Sequence, residues 1–403
     1  MIMGSFIEPG QPIGDRTRQL RGKLYTQREL ADKAGLSVDL VRKLEQGTRT
    51  TASVASLHKL ARALDVTLAD LIGPARVPDQ APQEGAVELR HAVTDLDDLI
   101  GPPADVEPVG VDAAQRADVY AWGIYWSGDH DAAAAALPNL IYGLRAGYST
   151  ANLPDKPALA YALARTLWAA GSTLMHLRHN DAASAATRWA VRLAAEGNDP
   201  WMHATVQGSL AWQLMVAGRY AESMRLTERT AASIEPHGAA AAPHLSAYGS
   251  LLLQSGNAAA RNGNAPAARD YLAAAADVAQ RVGEDRNDYS TTFGPSLIAM
   301  QSADVHIALG DYDRAVDAAA TLPNQGAALP TMARCRHLAD RALAHVRLGQ
   351  PETALPLMST AVQSSPNWAK HQQLPKVVVR ELLHTTKQRS STLRNLASTL
   401  GVS

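Results

Sequence analysis

The sequence predicts an all-α protein in two unlike parts, a small N-terminal bundle of five helices and a long array of helical hairpins. Three observations lead there. Apolar residues recur at helical spacing through most of the chain, and no stretch alternates with the two-residue period of a half-buried strand. Turns, all but one centred on glycine, return every 39–50 residues or so from Gly128 to Gly349, with small residues at fixed offsets. Between the two parts, "PARVPDQAPQEG" (74–85) carries prolines that deny regular backbone hydrogen bonding, so it reads as a linker.

At 403 residues the chain exceeds one ordinary core, and its 46% hydrophobic and 19% charged residues are those of a globular protein. The net charge of −1 conceals an asymmetry. Residues 13–73 hold 11 Lys and Arg against 7 Asp and Glu, a net +4, which leaves −5 for the rest. A polyanion would therefore bind at the basic end. Cys335 is the single cysteine, so no intramolecular disulfide can form, and its apolar helical surroundings predict a packing role. There is neither an apolar run of about 18 residues nor a signal-peptide core, and the expectation is a cytoplasmic protein without membrane contact.

Taken in order, residues 1–12 read as a disordered tail and 13–73 as the first domain. Its first helix is expected over 13–24, with Ile13, Leu20 and Leu24 facing inward. Thr26 and Glu29 form a capping box for the second helix, which buries Leu30, Ala31 and Ala34 and ends at Gly35. Ser37 caps a third helix, whose buried face is Val41 and Leu44 and whose outer face carries Arg42 and Lys43. So short a pair needs flanking helices. One is expected over 53–65 (Leu57, Leu60, Ala61, Leu64), and "TLADLIG" (67–73) supplies a fifth turn.

A helix, a glycine turn and a helix with outward cations make the helix-turn-helix pattern. The run from Thr26 through "EQG" (45–47) to "LHKLARALDVTLADLIG" (57–73) resembles the XRE/Cro-type transcriptional regulators over about sixty residues. That resemblance implies a five-helix DNA-binding domain whose recognition helix is 37–46. Ser37, Val38, Asp39, Arg42 and Lys43 would then face base edges. Arg or Lys would bond guanine, Asp39 would accept from cytosine, and Val38 would meet a thymine methyl. Gln27, Gln46, Thr48 and Arg49 would hold phosphates. Glu45 would be buried against Arg21. The resemblance also implies a homodimer on a palindromic operator of double-stranded DNA.

Residues 74–110 are expected to be linker with a short helix near 86–100, where Leu89, Val93, Leu96 and Ile100 share a face. From 111 onward the chain is alanine-rich. The turns at Gly128, Gly218, Gly263, Gly310 and Gly349 each have a small residue five positions on (Ala133, Ser223, Ala268, Ala315, Ala354). Another lies seven positions before (Ala121, Ala211, Gly256, Ala303, Ala342). A sixth copy turns at Arg178, between Gly171 and Ala183. This resembles an elongated tetratricopeptide repeat, with Pro366 at the repeat's proline position. The resemblance implies a right-handed superhelical array over 111–403, of about six hairpins and a C-terminal capping hairpin (374–400).

Carried onto the repeat's inner face, the resemblance places Trp122, Tyr125, Arg165, Trp168, Trp212, Asn257 and Arg336 as candidate ligand contacts. The combined architecture is similar to the RRNPP-like, peptide-sensing quorum regulators of Gram-positive bacteria, which implies a peptide or other small ligand. Of 38 basic residues 30 are Arg, a bias expected of a high-GC genome.

No phosphate loop, HExxH, CxxC or GxSxG motif occurs, and no cofactor is expected. His176 and His179 could share a metal, but no third ligand follows at suitable spacing. The expected function is thus a non-enzymatic transcriptional regulator. The alternative is a protein-interaction scaffold whose N-terminal head binds protein or is vestigial.

Overall fold

The computed structural model describes residues 12–22, 24–49, 52–66, 71, 84–95, 101, 106–327, 329–385 and 390–402, and among them every regular element is helical. They divide into two compact units, one within residues 1–80 and one across 81–260 and 264–403. The expected tail (except Pro12), most of the linker, and the fifth turn (apart from Leu71) lie outside the described residues.

The first unit begins with α1 (Ile13–Arg21), α2 (Gln27–Ala34), α3 (Val38–Glu45) and α4 (Val54–Ala63). At the start of α2 the Glu29 amide donates to Thr26 Oγ1 at 3.2 Å, and the Thr26 amide donates back to Glu29 Oε2 at 2.7 Å. Gly35 then takes the left-handed conformation (φ 61°) that turns the chain into α3. Leu30, Ala31, Val41, Leu44, Leu60 and Leu71 fill the core. The closest approach comes from Gly14, where an added Cβ would meet the Leu44 carbonyl at 1.8 Å, so α1 can lie against α3 only without a side chain there. One expectation fails: α1 ends at Arg21, and Leu24 is 79% exposed instead of buried. Gly22 breaks the helix with a positive φ before Leu24 can turn inward.

In the second unit, α5 (Glu84–Thr94) buries Ala86, Leu89, Ala92 and Val93 in the main core. This helix was expected as part of the linker and is instead a wall of the repeat unit. Six hairpins follow. They are α6 (Val111–Ser127) with α7 (His130–Thr150), α8 (Lys156–His176) with α9 (Asn180–Glu196), and α10 (Pro200–Val216) with α11 (Tyr220–Ser233). Next come α12 (Ala242–Arg261) with α13 (Ala265–Val282), α14 (Pro295–Leu309) with α15 (Tyr312–Ala320), and α16 (Thr331–Arg347) with α17 (Pro351–Ser364).

The six turn residues all sit at positive φ, Arg178 (70°) included. Arg178 repeats the glycine turns' bonding, its amide donating to Met175 O and that of His179 to Leu174 O, just as Gly218 and Arg219 donate to Met215 O and Leu214 O. The small residues flanking the turns are buried, and they set the crossing distance. A Cβ on Gly171 would come within 2.4 Å of Thr187 Oγ1 and 3.0 Å of the Ala183 carbonyl.

The array ends in α18 (Pro366–His371), α19 (Gln373–Thr385) and α20 (Ser391–Leu400). Residues 374–400 were expected as a hairpin capping the last repeat. α19 packs on α16 and α17, α20 on α17, and α18 docks on the first hairpin. Asn367 Nδ2 donates to Asp129 at 2.9 Å, Lys370 pairs with Asp131, and His371 Nε2 lies 3.1 Å from the same carboxylate. Gln372 reaches His176 at 3.1 Å. Trp368, 1% exposed, belongs to one core with Trp122, Tyr125 and Leu137 of the first hairpin. The repeat unit therefore closes on itself.

At this closure His130 is fully buried, stacked on His176 at 4.3 Å between ring centroids and edge-on to His371 at 6.3 Å. Neither ring nitrogen of His130 has a hydrogen-bond partner among the described residues. Burial first, then the neighbouring imidazoles and, for His176, Arg336, lower His130 to about 2 and His176 to about 4. The unfolded chain takes up both protons near pH 6.5, as an ordinary histidine does. Stability is thus full above that value and declines as the pH falls toward about 4.

Two outcomes are expected. Arg178→Gly should stabilise the second unit by about 1 kcal/mol through relief of left-handed strain, whereas Gly171→Ala should cost about 2 kcal/mol through overpacking, both read from urea midpoints. Between about pH 6 and pH 5, unfolding free energy should drop by about 1 kcal/mol per buried histidine. His130→Leu should remove one of the two contributions in urea titrations over that range.

Candidate functional site

The outer face of α3 is arranged by the two ends of the helix. Ser37 Oγ accepts from the Leu40 amide at 3.2 Å, and the chain leaves at Gln46, Gly47 and Thr48 with Thr48 Oγ1 donating to the Lys43 carbonyl at 3.1 Å. The Arg49 amide donates to the same carbonyl at 3.0 Å. Ser37, Val38, Asp39, Arg42, Lys43, Gln46, Thr48 and Arg49 are all exposed within their unit. Asp39 lies between the cations, 2.6 Å from Arg42 Nη2 and 2.7 Å from Lys43 Nζ. These hydrogen bonds, Lys43's first, hold the Asp39 carboxyl below its usual range. Exposed pairs at this spacing contribute little, so incoming groups can replace them.

Under this face lies a buried carboxylate. Glu45 is 2% exposed and takes a forked pair from Arg21, Nε to Oε1 at 2.8 Å and Nη2 to Oε2 at 2.9 Å. Gln27 Nε2 adds a third bond at 2.8 Å, and Arg18 Nε stands 3.9 Å away. Burial alone would push the Glu45 carboxyl up. The bonds from Arg21 and Gln27 outweigh it and leave the group below the ordinary value. The Gln27 amide is thereby committed inward, away from the phosphate role that the sequence suggested for it. The ion pair joins the end of α1 and the start of α2 to the end of α3, which fixes the tilt of the exposed face.

In the second unit the seven candidate ligand residues separate into two groups. Trp122, Arg165 and Trp168 are internal. The Trp122 and Trp168 rings meet edge to face at 4.5 Å, and Arg165 Nε bonds both Asp118 oxygens at 2.6 and 2.8 Å beneath the Trp122 ring. Trp168 Nε1 is spent on Ser209 at 2.6 Å. Their inward reading corrects the expectation: side by side, α6, α8 and α10 supply one another's partners here, Asp118 for Arg165 and Ser209 for Trp168.

Tyr125, Trp212, Asn257 and Arg336 line a cavity of about 320 Å³ in the middle of the unit. The first helix of every hairpin contributes to its wall, as do Thr291 and Thr292 of the loop before α14 and Trp368 and Gln372 of the C-terminal segment. Asn257 Nδ2 donates to Gln301 at 2.7 Å. Arg336 is held by Asp340 at Nε (2.9 Å) and by Asp304 at Nη2 (3.0 Å). Sequence reasoning missed Trp126, Gln301, Trp368 and Gln372. Trp126 follows Tyr125 by one residue on α6, and Gln301 lies on α14 two residues before the small residue Ala303. The other two lie beyond the repeats and reach the cavity only through closure. His176 also lines it, whereas His179 begins α9, and no cluster of metal ligands forms among the described residues.

Residues 18–71 match the helix-turn-helix family model HTH_3. The N-terminal unit is therefore a helix-turn-helix domain, which supports a DNA-binding regulator. No curated protein sequence matches the chain. Among solved structures it is similar to the crystal structure of Bacillus thuringiensis PlcR in complex with the peptide PapR7 and DNA. That similarity has 10% identity and a TM-score of 0.33 over 77% of this chain and 94% of that one, too low to carry an argument. No helix among the described residues is long and apolar enough to cross a membrane.

Arg21→Ala leaves Glu45 buried with Gln27 and the distant Arg18. The first unit should lose about 2 kcal/mol, less than a wholly unpaired buried charge would cost, as measured by following its unfolding in urea.

Proposed function

We propose that the chain is a sequence-specific transcriptional regulator that binds DNA as a homodimer through α3 and senses a peptide or other small ligand with its repeat unit. The observation that carries this reading is the exposed row Val38, Asp39, Arg42 and Lys43, on a helix capped by Ser37 and braced from behind by the Glu45–Arg21 pair. In the major groove, Arg42 and Lys43 leave Asp39 to donate to guanine O6 and N7, and Asp39 accepts from cytosine N4. Val38 supplies the apolar contact for a thymine methyl.

Because the Gln27 side chain is engaged, a phosphate at this end meets the free amides at the start of α2, where the helix dipole is positive. Gln46, Thr48 and Arg49 take the phosphate on the far side. One such head makes few base contacts. A two-fold dimer reading half-sites about 34–36 Å apart supplies the missing specificity.

The test uses the full chain and DNA from its own upstream region. Arg42→Ala with Lys43→Ala should weaken operator binding by roughly 10- to 1000-fold and bring it close to non-specific binding. The fold should remain unchanged by circular dichroism. Log affinity of the native protein should fall linearly with log salt. Undiminished operator preference in the double variant would overturn the assignment of α3.

A further inference from the structure

The cavity wall specifies what it can hold, and this inference rests on the reading of the repeat unit as a sensor. Charge comes first. Among the lining residues there is no Asp or Glu, so a cationic ligand has no counter-ion there. The one strong cation is Arg336, and two carboxylates, Asp304 and Asp340, hold it from behind and leave it no spare positive charge. His176 is held neutral by its burial at ordinary pH. An anion would therefore lose its hydration without meeting an unmatched positive charge.

Hydrogen bonding is next. Arg336 spends Nε and Nη2 on its two carboxylates, and among the described residues Nη1 meets no acceptor. The side chain is 43% open, and it faces the cavity. The opening thus presents a donor to a ligand oxygen. Around it stand Tyr125, Trp126, Trp212 and Trp368, flat apolar surfaces drawn from two hairpins and the closing segment. Size is the third constraint. A cavity of roughly 150 Å³ holds a benzene, so one of about 320 Å³ has room for a molecule of about a dozen to twenty non-hydrogen atoms.

We infer that the cavity binds one small, flat, uncharged carbonyl compound, with its apolar body among the tryptophans and its oxygen on Arg336 Nη1. Such a ligand touches both the first hairpin and the segment around Trp368, so it binds the closed arrangement of the repeat unit in preference to an open one and stabilises it.

The test titrates the full chain at neutral pH with three probes of one shape: 2-acetylnaphthalene, 2-naphthoate and naphthalene. Calorimetry and tryptophan quenching provide the readouts. The ketone is expected to bind saturably and raise the melting temperature, with naphthoate and naphthalene each about ten-fold weaker, the worth of one hydrogen bond in a dry site. Arg336→Gln should bring the ketone down to the affinity of naphthalene while leaving naphthalene unchanged, a pattern that general unfolding does not produce. Ser250→Phe, at a half-buried lining position whose hydroxyl bonds only its own helix, should fill the cavity and abolish binding of all three.

Naphthoate equal to or tighter than the ketone, ketone binding undisturbed by Ser250→Phe in a folded protein, or no saturable binding by any probe would each overturn the inference. Operator binding measured on the same samples separates the two readings. Probe binding without DNA binding removes the regulator and keeps the cavity, and DNA binding without probe binding does the reverse.

Discussion

The repeat unit depends on how closely two helices can approach behind each turn. At Gly171 the space left for a side chain is smaller than a methyl group, and Thr187 and the Ala183 backbone occupy what an alanine would need. The same intimacy recurs where Ser223 Oγ donates to the Ala211 carbonyl at 2.7 Å across a hairpin. Close approach packs backbone against backbone with little volume left for voids, and it lets an alanine-rich chain build a dense core without large side chains. It also explains the tolerance at the turn itself. Arg178 accepts a left-handed backbone because the crossing behind it is held in place by residues that have no freedom to move.

The N-terminal unit solves the equivalent problem with charge. Among the described residues its helices are short, and the tilt of α3 sets how its exposed side chains are presented. Glu45, buried and bound by Arg21 and Gln27, ties three helices at one point. A buried ion pair is a poor source of net stability but a good source of geometry, because its bonds are directional and leaving any of them unmade is costly.

What was legible in the sequence was local or set by spacing. The Thr26–Glu29 box, the Gly35 turn, the Ser37 cap and the small residues flanking each hairpin turn are encoded within about ten residues of where they act. The Glu45–Arg21 pair was reached only through family resemblance. The failures share another cause. Trp122, Arg165 and Trp168 have the same helical spacing as Tyr125 and Trp212. Whether such a residue meets a neighbour or an opening depends on the hairpins beside it and, around the cavity, on how the ends of the array come together. That closure rests on Asp129 and Asp131 meeting residues near 370, and no periodicity records a contact so distant. Gln27 was misjudged for a related reason: an amide at a helix start suits a phosphate and a buried carboxylate equally well. The helix at Glu84–Thr94 stood among prolines, and its neighbours' composition hid its partner.

Closure has a further consequence for how the protein comes into being. Because Trp368 and the residues around it complete the core of the first hairpin, that hairpin remains unfinished until the chain has been made as far as that segment. For most of its synthesis the N-terminal head is already long enough to fold, while the central chamber still lacks one wall. A truncated product would thus keep the α1–α4 bundle yet lack the wall that Trp368 and Gln372 give the cavity.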